Sequence, residues 1–508
     1  MVSKAISITV FSGLGVILNF FLQAYLAYRF GARWEMDAFL VSTTLPQLVN
    51  MVLIGSMAFT VLPSIIHARE TDGISRFWEL ASVFFTSTIV ILLLVALGLY
   101  LGATGLTVLM APGLSDQASA LSSELLAVQA AAIVFWGISS VLICAHNGSS
   151  SFSWPVLSQS INIVVTGAVT VLLAGHFGIL SLGIGILAGA VLQSIALVLT
   201  LKERSRLKVK LGLGDHEVRR VALLIIPLVL GSLFVKTDIL VDRYLASSLP
   251  EGSISYLGYA WRLVATLSGV ICSGVVITSF SQICGLVSSN KFDELQGAFE
   301  RVFRAMLFVL MPIAVFLVLR AQEISSLLFQ RGLFTQRDSS DVSIAVIGYL
   351  GLLFGHALLL HLSNMFYALR DTVTPTICLA VCFGVGVMAK IWLAGRLSFV
   401  GLAIGTSLYY LIDVVSVYLI LQRRLNHTLV HNLGSFVFRG CLCSGVMALG
   451  ILGVDRSIPV NAGLMVHMIV ASIVGGVAYI SAAYALDLRE GKWTVVYAIS
   501  RLRLSQRS

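Results

Sequence analysis

The 508-residue chain predicts an all-α polytopic membrane protein of about fourteen transmembrane helices. Three observations carry this reading. Hydrophobic residues make up 58% of the chain and charged residues only 11%, against about 25% charged in a soluble domain. Apolar runs of roughly twenty residues, each long enough to cross a hydrocarbon core as a helix, recur from end to end with no polar block between them large enough to fold alone. The cations gather in the short connections between those runs. A soluble enzyme is excluded, and the formal charge of +9 marks membrane topology rather than nucleic-acid binding.

The runs place spans near residues 6–28, 38–65, 78–101, 121–145, 155–175, 179–201, 218–247, 254–280, 302–320, 342–369, 374–394, 399–421, 435–454 and 462–486. The first run is too long for a signal-peptide core and no small-residue cleavage site follows it, so it is expected to be the first transmembrane helix. An even number of spans puts both termini on one side. Of the 33 Lys and Arg, 22 fall on that side and 8 opposite, which predicts cytoplasmic termini. The other three, Lys236, Arg243 and Arg262, fall within spans.

The seven cysteines lie in or beside apolar runs without metal-ligand spacing, so core packing is expected and no metal or organic cofactor is implied. Gly183-x-Gly185-x-x-x-Gly189 sits inside span 6 with no strand before it, which favours close helix packing over a dinucleotide loop. Asn147-Gly-Ser has the form of a glycosylation site but falls in an inner loop.

Two stretches repeat at an offset of six spans. Leu14-Gly15 leads to Tyr25-Leu26-Ala27, and Leu230-Gly231 to Tyr244-Leu245-Ala246; Trp154-Pro155 precedes span 5, and Thr374-Pro375 precedes span 11. An even offset implies parallel repeats about an axis along the membrane normal, a transporter architecture. The expected division is an N-lobe over 1–201, a basic loop over 202–217, a C-lobe over 218–425, and two further helices with a basic tail over 426–508, with a cavity between the two pseudo-symmetric six-helix lobes.

An ionisable side chain at bilayer depth costs at least about 2.5 kcal/mol, so it faces protein or a wet cavity. Span 7 carries Lys236, Asp238, Asp242 and Arg243; span 8 adds Arg262; span 10 adds His356, His361 and Asn364; Lys390 lies near the outer end of span 11, and Asp413 in span 12. At 100° per residue Asp238 and Asp242 share one face of span 7, while Lys236 and Arg243 share another. Such a density favours a polar cavity over simple helix pairing. Of the prolines within spans, Pro46 and Pro227 are the ones expected to bend cavity-lining helices.

Phe30-Gly31-Ala32, Asp37-Ala38-Phe39, Leu45-Pro46-Gln47-Leu48 and Leu62-Pro63 resemble the opening of the MviN/MurJ lipid II flippases, within the multidrug/oligosaccharidyl-lipid/polysaccharide exporter superfamily. Val241-Asp242, Leu249-Pro250-Glu251-Gly252-Ser253, Tyr259-Ala260-Trp261-Arg262-Leu263, Leu328-Phe329-Gln330-Arg331-Gly332-Leu333-Phe334-Thr335 and Phe366-Tyr367-Ala368-Leu369-Arg370-Asp371-Thr372-Val373-Thr374-Pro375 are similar in order and spacing, so the resemblance covers roughly 8–425. It implies a two-lobed fold in the bacterial cytoplasmic (inner) membrane. The implied activity moves an undecaprenyl-pyrophosphate-linked saccharide from the inner to the outer leaflet by alternating access. The implied partners are that lipid-linked oligosaccharide, the bilayer and proteins of cell-envelope synthesis, with no nucleic acid. An inside-negative potential favours outward movement of an anion.

On this chain the implied substrate-binding residues are Asp37, Asn50, Lys236, Arg243, Arg262 and Asn364. Asp238, Asp242 and Lys390 are the implied ion-coupling residues, with Na+ or H+ as the candidate ion. The family's arginines of spans 1 and 2 are replaced: those positions fall near Val16 and Leu22 and read Asn50 and Met51, and Ile54 stands where an acidic residue is usual. Trp261 precedes Arg262 where Asp is usual, and Lys390 stands about where an Asn is common. These departures point to a divergent branch, with lipid II or a related lipid-linked glycan as cargo. The alternatives are an exopolysaccharide or O-antigen repeat-unit exporter and a cation-coupled small-molecule exporter. A polytopic glycosyltransferase would need a large outer loop, and the longest, near 321–341, is short; its mixed charges from Arg331 to Asp341 predict a solvated loop.

Overall fold

The structure is a computed structural model that describes residues 2–149, 151–203, 206–210, 212, 237–289, 291–425, 429–457 and 463–491. They form two compact units, Met1–Ser255 with Arg331–Phe334, and Tyr256–Gln330 with Thr335–Ser508. Among the described residues nine helices are long and apolar enough to cross a bilayer. The helices fall in the order of the expected spans. Lys236 and Pro227 lie outside the described residues.

Unit 1 is built from α1 (Val2–Phe30), α2 (Trp34–Ser42), α3 (Thr44–Thr71), α4 (Ile74–Leu101), α5 (Ala103–Met110), α6 (Asp116–Gly148), α7 (Ser153–Phe177), α8 (Leu180–Thr200) and the helical residues 237–247, here α9. The hub is α6, against which α2, α3, α4 and α8 pack. Span 2 is two helices because Pro46 cannot donate to the Ser42 carbonyl and its ring crowds that oxygen; the helix breaks at Thr43 and restarts at Thr44. The hydroxyls of α4 instead bond back along the helix, Ser82 to the Trp78 carbonyl at 2.6 Å and Thr86 to the Ser82 carbonyl at 2.9 Å.

Those same two hydroxyl oxygens accept backbone N–H groups from the basic connection, Lys208 to Ser82 and Lys210 to Thr86, each at 3.0 Å. Four helical residues rise about 6 Å and two extended residues about 6.6 Å, so the two spacings match. Residues 206–210 therefore lie along α4 as an extended strap. Trp78 Nε1 donates to Glu203 at 2.9 Å at its start.

The glycines of span 6 pack as the sequence predicts. A Cβ on Gly185 would meet the Thr166 carbonyl and the Thr170 hydroxyl, and one on Gly189 would meet Thr166 and Asn162. Two motif glycines also meet: Gly31 (φ +63°) abuts the Leu333 backbone, Gly332 (φ +60°) abuts Tyr28, and the Leu333 N–H donates to the Tyr28 carbonyl at 2.9 Å. The segment expected as a solvated loop is exposed at most positions from Arg331 to Arg337, and the correction concerns its being a loop throughout. Arg331–Phe334 is docked in unit 1, and Gln336–Gly348 is helical, opened by a capping box in which Thr335 and Asp338 satisfy each other's backbone N–H groups.

Unit 2 contains α10 (Ser253–Ser288, from Tyr256 on), α11 (Phe292–Phe329), α12 (Gln336–Gly348), α13 (Leu350–Ala368), α14 (Val373–Leu425), α15 (Leu433–Ser457) and α16 (Leu464–Ala485). Helices α12 and α13 share span 10. The turn before α14 is held by Asp371, which accepts from the N–H groups of Val373 and Thr374, from the Thr374 hydroxyl, and from Arg424. The Thr374 bonds, with the Arg424 charge beside them, hold the Asp371 carboxyl down at about 2.

Spans 11 and 12 run through α14 as two helices joined at Ser398, at φ 53° and ψ −140°. In unit 1, spans 5 and 6 are joined at Gly178, at φ 52° and ψ −135°. The two residues are 220 positions apart, the same offset as Pro155 and Pro375, so the expected repeat recurs in backbone geometry. That geometry suits glycine and strains serine by about 1–3 kcal/mol. Ser398→Gly is expected to raise stability by about 1 kcal/mol after the entropy lost in the unfolded chain is counted, and Gly178→Ala to lower it. Thermal unfolding in detergent checks both signs.

Candidate functional site

In unit 1 the polar residues converge on the turn at 252–255. Asp37, only 5% exposed, is the fourth residue of α2. Its Oδ2 accepts the Gly252 N–H at 2.8 Å, and its Oδ1 accepts the Ser255 N–H at 2.7 Å and the Ser255 hydroxyl. Gly252 lies at φ +87°, which lets the chain turn into α10. The carboxylate thus caps the N-terminus of α10, where N–H groups lack intrahelical acceptors and the helix dipole favours an anion.

Arg243 on α9 reaches the same turn, donating to the Ile254 carbonyl at 3.1 Å. The Ser247 hydroxyl accepts the Gly113 N–H at 3.1 Å, and Glu251 accepts the Trp34 N–H at 3.2 Å. Asp238 and Asp242 are half-buried on α9. On α3, Asn50 is half-buried and its buried Oδ1 has no hydrogen-bond partner among the described residues. Val16 is 59% exposed, so α1 presents a methyl surface near one of the span 1 positions where the resemblance implies an arginine.

In unit 2, Arg262 and Asn364 are half-buried, whereas Lys390 is fully buried. Its ammonium lies 5.7 Å from the centre of the Tyr409 ring, a cation–π arrangement. Its stem fills the notch left by Gly405, where a Cβ would strike Lys390 Cγ. The buried hydroxyl of neighbouring Thr406 has no partner among the described residues. The two span 10 histidines are structural: His356 Nδ1 pairs with the Ser268 hydroxyl at 2.9 Å, and His361 stacks on Phe299 at 4.5 Å while its Nε2 faces the Phe299 carbonyl at 3.3 Å.

The repeat gives these positions counterparts. At the 220-residue offset Lys390 corresponds to Thr170 and Gly405 to Gly185, and Thr170 fills the Gly185 notch in unit 1 as Lys390 fills the Gly405 notch in unit 2. Likewise Ser158, Asn162 and Gln193 correspond to Cys378, Cys382 and Asp413. In unit 1 Asn162 donates to Gln193 at 2.8 Å and Gln193 donates to Ser158 at 3.5 Å. In unit 2 the Cys382 thiol lies beside the 2% exposed Asp413, whose Oδ1 has no partner among the described residues. The second unit carries ionisable side chains, Lys390 and Asp413, where the first carries a hydroxyl and an amide, Thr170 and Gln193.

Sequence reasoning missed the neutral Ser158–Asn162–Gln193 network, although Asn162 and Gln193 stand out in apolar runs. It also missed a cluster in which Arg320 binds Glu323 at 3.0 Å and Asp455, and His467 binds Asp455 at 2.7 Å. That cluster joins α11, α15 and α16.

The model of the lipid II flippase MurJ family matches residues 26–485. The chain belongs to the lipid II flippase MurJ family. A lipid II flippase MurJ of Thermosipho africanus is 26% identical over 404 residues, 78% of this chain and 81% of that one. A protein of Bdellovibrio bacteriovorus is 27% identical over 415 residues, 78% of each chain. A solved lipid II flippase MurJ in an inward closed conformation superposes with a TM-score of 0.80 at 20% identity, covering 95% of this chain and 99% of that one. An inward-facing multidrug resistance MATE family transporter of the MOP superfamily superposes with a TM-score of 0.68 at 14% identity over 83% of this chain and 98% of that one. Both likenesses establish the MurJ-type fold, an integral membrane transporter architecture.

The capping of α10 has a measurable consequence. Asp37→Ala is expected to destabilise by about 3 kcal/mol, since it leaves two backbone N–H groups and one hydroxyl without their anionic acceptor. Ser255→Ala, which removes only the hydroxyl bond, costs about 1 kcal/mol. Thermal unfolding of the two purified variants gives the order, and equal losses would contradict it.

Proposed function

We propose that this chain translocates a lipid-linked saccharide, lipid II or a glycan carried on the same undecaprenyl-pyrophosphate anchor, from the inner to the outer leaflet of the bacterial cytoplasmic membrane. The observation that carries this reading is the MurJ family match over residues 26–485. The site chemistry supports it. Arg243 and Arg262 lie inside spans, where guanidinium groups can neutralise a pyrophosphate while its lipid tail stays in the bilayer. Asp37 orders the turn beside Arg243, and Asn50 and Asn364 offer amides to a sugar. With the termini cytoplasmic, the membrane potential drives the anion outward.

A repeat-unit exporter is the second reading, motivated by the replacement of the resembled family's span 1 and span 2 arginines, near Val16 and Leu22 and at Asn50 and Met51. Complementation of a strain depleted of its lipid II flippase separates the two. Rescue of growth is expected. Failure to rescue, together with loss of exopolysaccharide in the native host, would move the assignment to the exporter.

The burial of Lys390 supports a second element, that its ammonium supplies covalently the charge a coupling cation would bring. Asp238 and Asp242 are the carboxylates of the coupling step. Transport by the unaltered chain is then expected to be independent of sodium, and Lys390→Asn to make it sodium-dependent. Sodium-dependent transport that Asp242→Ala abolishes and Lys390→Asn leaves unchanged would refute the surrogate role.

A further inference from the structure

The ends of α11, α15 and α16 surround a cavity of about 420 Å³, within the range of small-ligand sites. Its charged lining is Glu300, Arg304, Arg439, Asp487, Arg489 and Glu490. Three guanidinium groups therefore face three carboxylates. Glu300 is bound by Arg304 at 2.7 Å and by the backbone N–H and ring of His431, each at 3.2 Å. Arg304 also donates to the His431 carbonyl and lies 5.3 Å from the centre of the Phe436 ring. Its buried Nε has no hydrogen-bond partner among the described residues.

Arg439 donates to the Leu486 carbonyl at 3.2 Å, which fixes it across the end of α16. Asn432 (φ 50°) and Asp487 (φ 58°) bend the chain around the cavity on both sides, and both are side chains that tolerate the left-handed region. Asn432 precedes α15, and the first N–H groups of a helix suit phosphate-like acceptors.

Two features select the ligand. A purely anionic ligand would meet three carboxylates and a purely cationic one three guanidinium groups, whereas a ligand with both charges a few ångströms apart meets partners for each. The cavity also lies at head-group depth. Within two turns of it Phe438, Leu442 and Tyr484 are exposed, the apolar band and interfacial aromatic of a bilayer boundary.

We infer that this cavity binds the head group of a phospholipid carrying both a phosphate diester and a primary amine. The phosphate is held by Arg304, Arg439 and the α15 N-terminus, and the amine by the carboxylates of Asp487 and Glu490. The inference is independent of the cargo, because the cavity lies wholly within unit 2 and uses none of the intramembrane charges.

Native mass spectrometry of the full chain, released from detergent in the presence of equal phosphatidylethanolamine, phosphatidylglycerol and phosphatidylcholine, tests it. Phosphatidylethanolamine adducts are expected to exceed each of the others by about tenfold. Arg439→Gln and Glu490→Gln are each expected to erase that preference, while Arg301→Gln, exposed on α11 and outside the cavity, keeps it. Equal retention of the three lipids, or a preference that survives both cavity variants, overturns the inference. So does displacement by soluble phosphoethanolamine at concentrations below that of the lipid, which would reassign the cavity to a free solute.

Discussion

A bilayer interior offers no water, so a polar atom placed there is costly unless it finds a partner within the protein. That constraint organises both units. It turns serine and threonine hydroxyls back onto their own helices, as Ser82 and Thr86 do on α4. It leaves their second lone pairs to fasten the strap at 206–210. It also explains why the buried Asp37 takes backbone N–H groups as partners: a helix N-terminus spreads the counter-charge over several groups without burying another full charge.

Lys390 satisfies the same constraint differently. Its stem lies in a glycine notch and its head over an aromatic ring, so much of the cost of burial is offset by packing. The repeat shows what has changed. Thr170 occupies the same notch in unit 1 with no charge, and Gln193 sits in a satisfied amide network where unit 2 has Asp413. The two units share a scaffold and differ in the side chains placed upon it at these positions.

Hydropathy made the fold legible, because apolar runs and short basic connections are one-dimensional signals. The break at Pro46 was legible for the same reason, a missing N–H acting locally. The ends were not: Phe292 to Arg301 is polar enough to fall outside a hydropathy window yet continues α11 by good helix formers. The docking of Gly332 and Leu333 on Tyr28 was also hidden, since it depends on residues about three hundred positions apart and on backbone rather than side-chain chemistry. Among candidate site residues, Asp37 and Arg243 meet at one turn, which two motifs far apart in sequence could not reveal. His356 and His361, in contrast, proved to be packing groups, His356 held by the Ser268 hydroxyl and His361 stacked on Phe299. Lys236 lies outside the described residues.

The partners of Asp37 and Tyr28 also set an order of assembly. The strap finds Ser82 and Thr86 already synthesised, so the first six spans can be fastened as soon as residue 210 emerges. Asp37 must wait for Gly252 and Ser255, 215 and 218 residues later, and the Tyr28 carbonyl waits longer still for Leu333. Chains emerge N-terminus first. A nascent first unit therefore passes through a stage with its innermost carboxylate exposed to whatever the insertion machinery offers, and truncation anywhere before residue 255 leaves that stage permanent.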